Sequence, residues 1–442
     1  MSLRFPGFRV RWVMLAYLFG FAFVAYMQRT SFSVAAERMM PDLGISQMQL
    51  GWLMTGYLVT YTVCQLPAGA FGQWIGARKA LFISSLLALA ATIATPLAPM
   101  LFTGAALLIV LMLTRLVLGV AHAPVFPVAV GMIESWFPVG HWGFPNGLQT
   151  AGLHVGSAAA TPIIAFAMQA YGWKNALLWS ALPALLLILL WGWYARDQPA
   201  QHPGVSDTEL AELQGNGERA EAAGINRDDL LRVLTNRDVL LLAISYTIMN
   251  YVFYLIGSWC FLYLVQERHL SVSLSGLLGS LPFIAAAIGT AVGGKWSDRL
   301  AIRYGLRIGY RAIPLIALPV AGLLLLIGVE SSNPYWAVVA LSLAYGVTEM
   351  TEGPYAAATT AVGRKDSMAA WGVVGTGGNL GGIIGTPIVA WLSSQHAWTA
   401  AFVTGSVAAI VSGIMWLWID ASRVSGAPRA VIANGVAQDG QT

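Results

Sequence analysis

From Arg11 to about Ile419 the chain is a succession of apolar stretches, most of them about 20 residues or longer, divided by short connectors that hold most of its charge. A helix needs about 20 mostly apolar residues to cross a bilayer. About twelve stretches qualify: 11–35, 48–72, 80–98, 101–132, 144–170 and 174–195, then 239–266, 274–296, 310–329, 335–360, 368–394 and 397–419. Composition closes off the soluble alternative. Charged residues make up 10% of the chain and hydrophobic ones 57%, against roughly 25% charged in an ordinary soluble domain, so the polar side chains needed to clothe a water-facing surface are missing. The expected fold class is an all-α integral membrane protein. The first apolar run follows Arg4, Arg9 and Arg11 but outlasts the roughly 7–15 residues of a secretory signal, and is expected to stay as a span.

One sizeable polar segment, 196–238, separates the sixth stretch from the seventh. It divides the chain into two six-helix halves, 1–195 and 239–420, joined by a central loop and followed by a polar, Gly-rich tail, 421–442, expected to be disordered. Lys and Arg accumulate on the cytoplasmic side of membrane proteins. Here one side collects Arg78, Lys79, the central-loop arginines, Lys295, Arg299, Arg303, Arg307, Arg311, Arg364 and Lys365, whereas the other has Arg38, Lys174 and Arg268. Both termini and the central loop are therefore expected in the cytoplasm. Within the loop, Ser206 and Glu209 have the spacing of a capping box, announcing a short surface helix near 207–214.

The halves echo each other, as in transporters built from repeats. Gly69-Ala-Phe-Gly72-Gln73 with Arg78 and Lys79 after the second span is matched by Gly294-Lys-Trp-Ser-Asp298-Arg299 after the eighth, and Gly119-Val-Ala-His122-Ala-Pro124-Val-Phe-Pro127 by Gly346-Val-Thr-Glu349-Met-Thr-Glu352-Gly-Pro354.

Other chemistries are excluded. The net charge of +4 comes from connector residues that form no basic face, so no nucleic-acid partner is indicated. Cys64 and Cys260 sit singly inside apolar stretches, and no metal site or cofactor is expected. Gly289 to Lys295 spells most of a phosphate-binding loop, but Trp296 replaces the hydroxyl residue; Gly375 to Leu380 misses the dinucleotide fingerprint at Leu380. An enzyme would also lack a nucleophile or metal constellation.

Arg115-xxx-Gly119-xx-His122-Ala-Pro124-Val-Phe-Pro127, Ser135-Trp136-Phe137-Pro138, Asn146-Gly147, Gly172-Trp173, Trp193-Tyr194, Asp197-x-Pro199, Asn250-Tyr251, Ser297-Asp298 and Gly378-Asn379-Leu380-Gly381-Gly382 together resemble the major facilitator superfamily, and within it the anion:cation symporter family, over nearly the whole chain. That resemblance implies a twelve-helix fold of two pseudo-symmetric halves in a bacterial-type plasma membrane. It implies carriage of sugar acids or related carboxylates, with arginines matching Arg29 and Arg115 on the substrate. Three positions depart from it. Gln28 and His122 stand where the sugar-acid branch has its proton-carrying acids, and Gln73 stands where the loop-2 motif has Asp, a residue implied to hold the outward-facing state.

Within the spans the deeply placed charges are Arg29, Arg115, Glu349 and Glu352. Each costs at least ~2.5–3.5 kcal/mol at mid-bilayer and must face the protein interior or a wet cavity. The planar guanidiniums suit a carboxylate, so Arg29 and Arg115 are the expected anion clamp. His122 lies seven residues after Arg115, on the same helical face; it either takes up a proton or hydrogen-bonds substrate. Glu349 and Glu352, at i and i+3, would repel if both were ionised, which makes them the expected proton-coupling pair, with His122 as a possible third member and a fixed salt link to Arg29 or Arg115 as the rival role. Tyr26, Gln28, Tyr61, Tyr254 and Asn379 are expected substrate hydrogen-bonders, and Arg78, Asp298 and Arg299 conformational gates. His154 is a weaker candidate, because Gly152 and Gly156 around it suggest a close helix contact. The function expected is import of a small organic anion with a proton, by a monomer in the lipid bilayer. An exchanger or uniporter of the same fold, or a non-transporting sensor, are the alternatives.

Overall fold

The computed structural model describes residues 9–213, 227–270 and 272–422; the expected disordered tail falls almost wholly outside them. Among the described residues the regular elements are all helices. The first half comprises α1 (Val10–Leu43), α2 (Gln47–Ile75), α3 (Ala77–Leu101), α4 (Gly104–His122), α5 (Val125–Trp136), α6 (Gly143–Trp179) and α7 (Ala181–Tyr194). The central loop contributes α8 (Asp207–Ala211) and α9 (Arg227–Thr235). The second half comprises α10 (Arg237–Gln266), α11 (Val272–Leu278), α12 (Leu281–Tyr304), α13 (Leu306–Glu330), α14 (Pro334–Glu349), α15 (Glu352–Gly363), α16 (Ser367–Ser394) and α17 (Trp398–Met415).

Every expected span falls on one helix or a pair of them. Among the described residues, eight stretches are long and apolar enough to cross a membrane. Two of these are long enough to double back: Gly143–Tyr194, broken at Gly172 with φ 78°, and Pro334–Ser393, broken at Arg364 with φ 44°. Glycine reaches such a φ without a Cβ clash, so the chain reverses at Gly172. The eighth expected span, 274–296, starts with the short α11, and its main helix α12 runs on to Tyr304, carrying Asp298 on about two extra turns.

The internal echo has a structural counterpart. The fourth span bends between α4 and α5, at Ala123 and Pro124, and the tenth bends between α14 and α15, at Met350 and Thr351. Proline lacks the N–H that would continue the ladder, and Pro124 sits at the first bend. His122 and Glu349 are the residues at which α4 and α14 end, so the two echoing segments present a titratable side chain at equivalent kinks.

Glycines draw the halves together at the end of the bundle that carries the central loop. A Cβ on Gly147 of α6 would lie 2.1 Å from the Thr290 carbonyl oxygen of α12, one on Gly353 2.5 Å from that of Gly143, and one on Gly69 of α2 2.2 Å from that of Met368 at the start of α16. The Met368 side chain fills the space above Gly72 and Gly131. At this end the two halves are pressed backbone to backbone.

The central loop is anchored there too. Ser206 Oγ accepts from the Glu209 amide at 3.2 Å, which is one half of the expected box. The Glu209 carboxylate does not return to Ser206. It is buried, and accepts from the Val10 and Arg11 amides at 3.2 and 3.1 Å and from Arg11 Nε at 2.9 Å. A carboxylate at the first turn satisfies free amides and meets the positive helix end; Glu209 caps α1 instead of its own helix. The helix announced for 207–214 is correspondingly short and packed, ending at Ala211.

Candidate functional site

Midway along the bundle, between the halves, lies a cleft of about 490 Å³ counting its open mouth. Two polar stripes at helical spacing face it. Tyr61 and Gln65 come from α2, while Tyr246, Asn250 and Tyr254 come from α10. Residues four apart share a helix face, so each set forms a continuous strip. Tyr26 of α1, Thr150 of α6, Glu349, Glu352, and Trp371 and Asn379 of α16 complete the wall. Tyr254 Oη donates to Asn379 Oδ1 at 3.3 Å, holding two of the expected substrate groups together across α10 and α16.

Both arginines belong to the first half and neither is in the cleft wall itself; Arg29 lies behind the lining residue Tyr26. Arg29 Cζ lies 5.3 Å from the ring centroid of Tyr26 and 5.5 Å from that of Tyr57, within cation–π range. Arg115 is buried with its Cζ 4.0 Å from the Phe32 centroid, and its Nε has no hydrogen-bond partner. Among the described residues no carboxylate pairs with either arginine. The rival role for Glu349 and Glu352, a salt link to these arginines, is absent from this structure. A buried cation without a counter-charge, as Arg115 is, is costly, and with the half-buried Arg29 the arrangement is suited to accept an anion.

Tyr57, which the sequence reading passed over, connects these groups. Its ring stacks on Tyr61 at 5.7 Å and 9°, and it lies in the field of both arginines. Its hydroxyl is 3.2 Å from His122 Nδ1, and His122 Nε2 is 2.9 Å from Gln28 Oε1. A carbonyl oxygen only accepts, so His122 Nε2 carries the hydrogen and Nδ1 accepts from Tyr57. Both ring nitrogens are used, and the imidazole is satisfied in its neutral form. The backbone geometry that permits this is Gly119, whose Cβ would meet the Tyr57 carbonyl oxygen at 2.4 Å and so lets α4 lie close against α2.

The acids are held by other partners. Glu352 accepts from Tyr246 Oη at 3.0 Å on both carboxylate oxygens. Glu349 Oε2 is 2.9 Å from Nε2 of His154, across the interface between the halves, and both side chains are buried. The glycines flanking His154 do mark a close contact: Cβ atoms on Gly152 and Gly156 would meet the Phe19 and Phe23 carbonyls of α1 at 2.5 and 2.3 Å.

At the closed end, Asp298 of α12 is buried and accepts from the amides of Gly143 and Phe144 at 2.6 and 2.7 Å, so a carboxylate of one half caps the first turn of α6 in the other. In the mirrored position Gln73 Nε2 donates to the Lys365 carbonyl at 2.6 Å, and Ser367 Oγ hydrogen-bonds Glu134 of α5. The start of α16 thus meets a carboxylate even though position 73 is not one. Arg78 works inside the first half: its amide donates to Asp197 at 2.7 Å and its Nη2 to the Gly192 carbonyl at 2.5 Å. Arg299 is exposed.

Residues 18–351 and 303–433 match the family described as Major Facilitator Superfamily. The chain is 27% identical over 373 residues to the probable sulfoacetate transporter of Cupriavidus necator, covering 83% of each protein. It is 26% identical over 434 residues to the D-galactonate transporter of Escherichia coli, covering 95% of this chain and 98% of the relative. The fold superposes with a TM-score of 0.71 on the crystal structure of FucP, a Major Facilitator Superfamily transporter in the outward conformation, at 14% identity over 93% of this chain and 100% of that one. The helical halves, their echo and these matches agree: the chain belongs to the Major Facilitator Superfamily.

Proposed function

We propose that this protein is a secondary active transporter that carries a small organic anion, a sugar acid or related carboxylate, into the cell together with a proton. The observation that carries the reading is a pair of first-half arginines without counter-charges, Arg29 of them stacked behind Tyr26 of a cleft lined by hydroxyl and amide groups. A substrate carboxylate supplies the missing charge, and the polar stripes on α2 and α10 offer partners for hydroxyls. The similarity to transporters named for sulfoacetate, D-galactonate and galactarate or D-glucarate supports an anion. In this reading 1–195 and 239–420 are the rocking halves, 196–238 and both termini lie in the cytoplasm of a bacterial-type inner membrane, and the closed end faces inward, so the structure is outward-facing. Glu349 and Glu352 carry the proton. His122, satisfied on both nitrogens, is a positioning group for Gln28 and Tyr57.

Thermal shift of the purified protein with D-galactonate, D-glucarate and sulfoacetate tests the anion assignment, followed by titration of Arg29→Lys and Arg115→Lys with the strongest ligand. Lysine keeps the charge but loses the two-pronged fork. One lost charge-assisted hydrogen bond of ~1.5–3 kcal/mol weakens binding about ten- to hundredfold. Wild-type affinity in both variants, or equal binding of the corresponding amides, would overturn it.

A further inference from the structure

Resting on the proton-coupled reading above, we infer that His154 and Glu349 form one proton site shared between the two halves, made when the central-loop end is closed and broken when it opens. No residue of the expected coupling set lies on α6, yet His154 does, and it meets Glu349 of α14 directly. A 2.9 Å contact between Nε2 and a carboxylate oxygen requires a hydrogen between them. The outer atoms of the pair, His154 Nδ1 and Glu349 Oε1, have no partner. The other ionisable groups facing it are Glu352 on α15, Tyr246 and Tyr254 on α10, Tyr345 on α14 and Tyr26 on α1, with Arg29 behind the Tyr26 ring. With the imidazole neutral and both acids ionised, this cluster would bury two negative charges with no adjoining cation, and an added proton on the His154–Glu349 pair cancels one of them. A buried charge of this kind is tolerated only when compensated.

The placement gives the pair two environments. α6 meets α12 and α15 through Gly147 and Gly143 at the closed end, so opening that end must draw α6 away and part His154 from Glu349. Glu349 lines the cleft while the pair is closed; once parted, both groups face the opening and the proton can leave. A coupling ion must bind the two states with different free energies, and a bond that exists in one state only provides this. Linkage is reciprocal: a proton taken up at the pair favours the anion at Arg29, and the anion favours the proton.

The test uses full-length protein in proteoliposomes, with the strongest-binding acid from the screen above as labelled probe. His154→Gln keeps a donor toward Glu349 but cannot titrate in this range. The double variant His154→Leu with Glu349→Leu replaces the buried pair by apolar groups, which cores tolerate. A cooperative melting transition close to that of wild type reports an intact fold in each. Both should lose pH-driven accumulation at least tenfold, and the wild-type dependence of probe affinity on pH should flatten. Accumulation and pH profile like wild type in either folded variant would overturn the inference. If Glu352→Gln alone then abolished accumulation, the coupled reading would stand with its proton on Glu352. A wild type that ignores the pH gradient would instead defeat the proton-coupled reading itself.

Discussion

At the scale of single residues, much of the cleft is written in the sequence as spacing. Tyr57, Tyr61 and Gln65, and again Tyr246, Asn250 and Tyr254, recur every four residues in otherwise apolar spans, a polar stripe on one helix face. Tyr61 and Tyr254 were legible as isolated polar groups, and the rest of each stripe was available by the same count. The pairings were not legible. His154 and Glu349 are 195 positions apart, and nothing local in either segment specifies the other. Tyr57 illustrates what such a pairing does. Removing its hydroxyl by Tyr57→Phe leaves His122 Nδ1 buried and unpartnered, at a cost of about 1–3 kcal/mol. Tyr57→Phe is expected to lower the melting temperature and to weaken anion binding several-fold through the released His122 and Gln28, with the ring still stacked on Tyr61. A melting temperature and affinity both equal to wild type would mean that the Tyr57–His122 bond is not made.

At the scale of elements, helix positions followed from apolar length, because that is a local property of the chain. The caps did not follow, since they are supplied from far away. Glu209 caps α1 and not its own helix, and Asp298 caps α6 from the opposite half. The latter has a functional consequence. A carboxylate at a helix N-terminus contributes up to ~2 kcal/mol in buried geometry, and one or two kcal/mol changes a two-state ratio about 5- to 30-fold. Asp298→Asn should therefore shift the population toward opening of the central-loop end. Gly147→Ala should do so more strongly, because its Cβ would overlap the Thr290 carbonyl oxygen. Spin labels at Val139 and Ile302, one on each half, should report a longer distance in both variants than in wild type. An unchanged distance distribution would show that these contacts do not set the balance between states.

At the scale of the whole molecule, the two-half architecture was legible from the order of apolar stretches around one polar segment, and the segregation of basic side chains from their positions in the connectors, because insertion and orientation depend on hydropathy and charge along the chain. The structure gathers those groups at one end: Arg11 on Glu209, Arg307 on Asp420 and Lys365 on Asp229. A single cysteine at Ser206 should consequently be shielded from an impermeant thiol reagent added to intact cells; reaction from outside would invert the proposed topology. Proton-coupled anion transport is the central claim, and uptake of the best-binding acid into proteoliposomes under an imposed inward proton gradient tests it most directly. Wild-type protein is predicted to accumulate the acid above its external concentration and to lose that accumulation, though not exchange, in Glu349→Gln. Uptake that only equilibrates, with or without the gradient, would contradict the account and leave an exchanger or uniporter in its place.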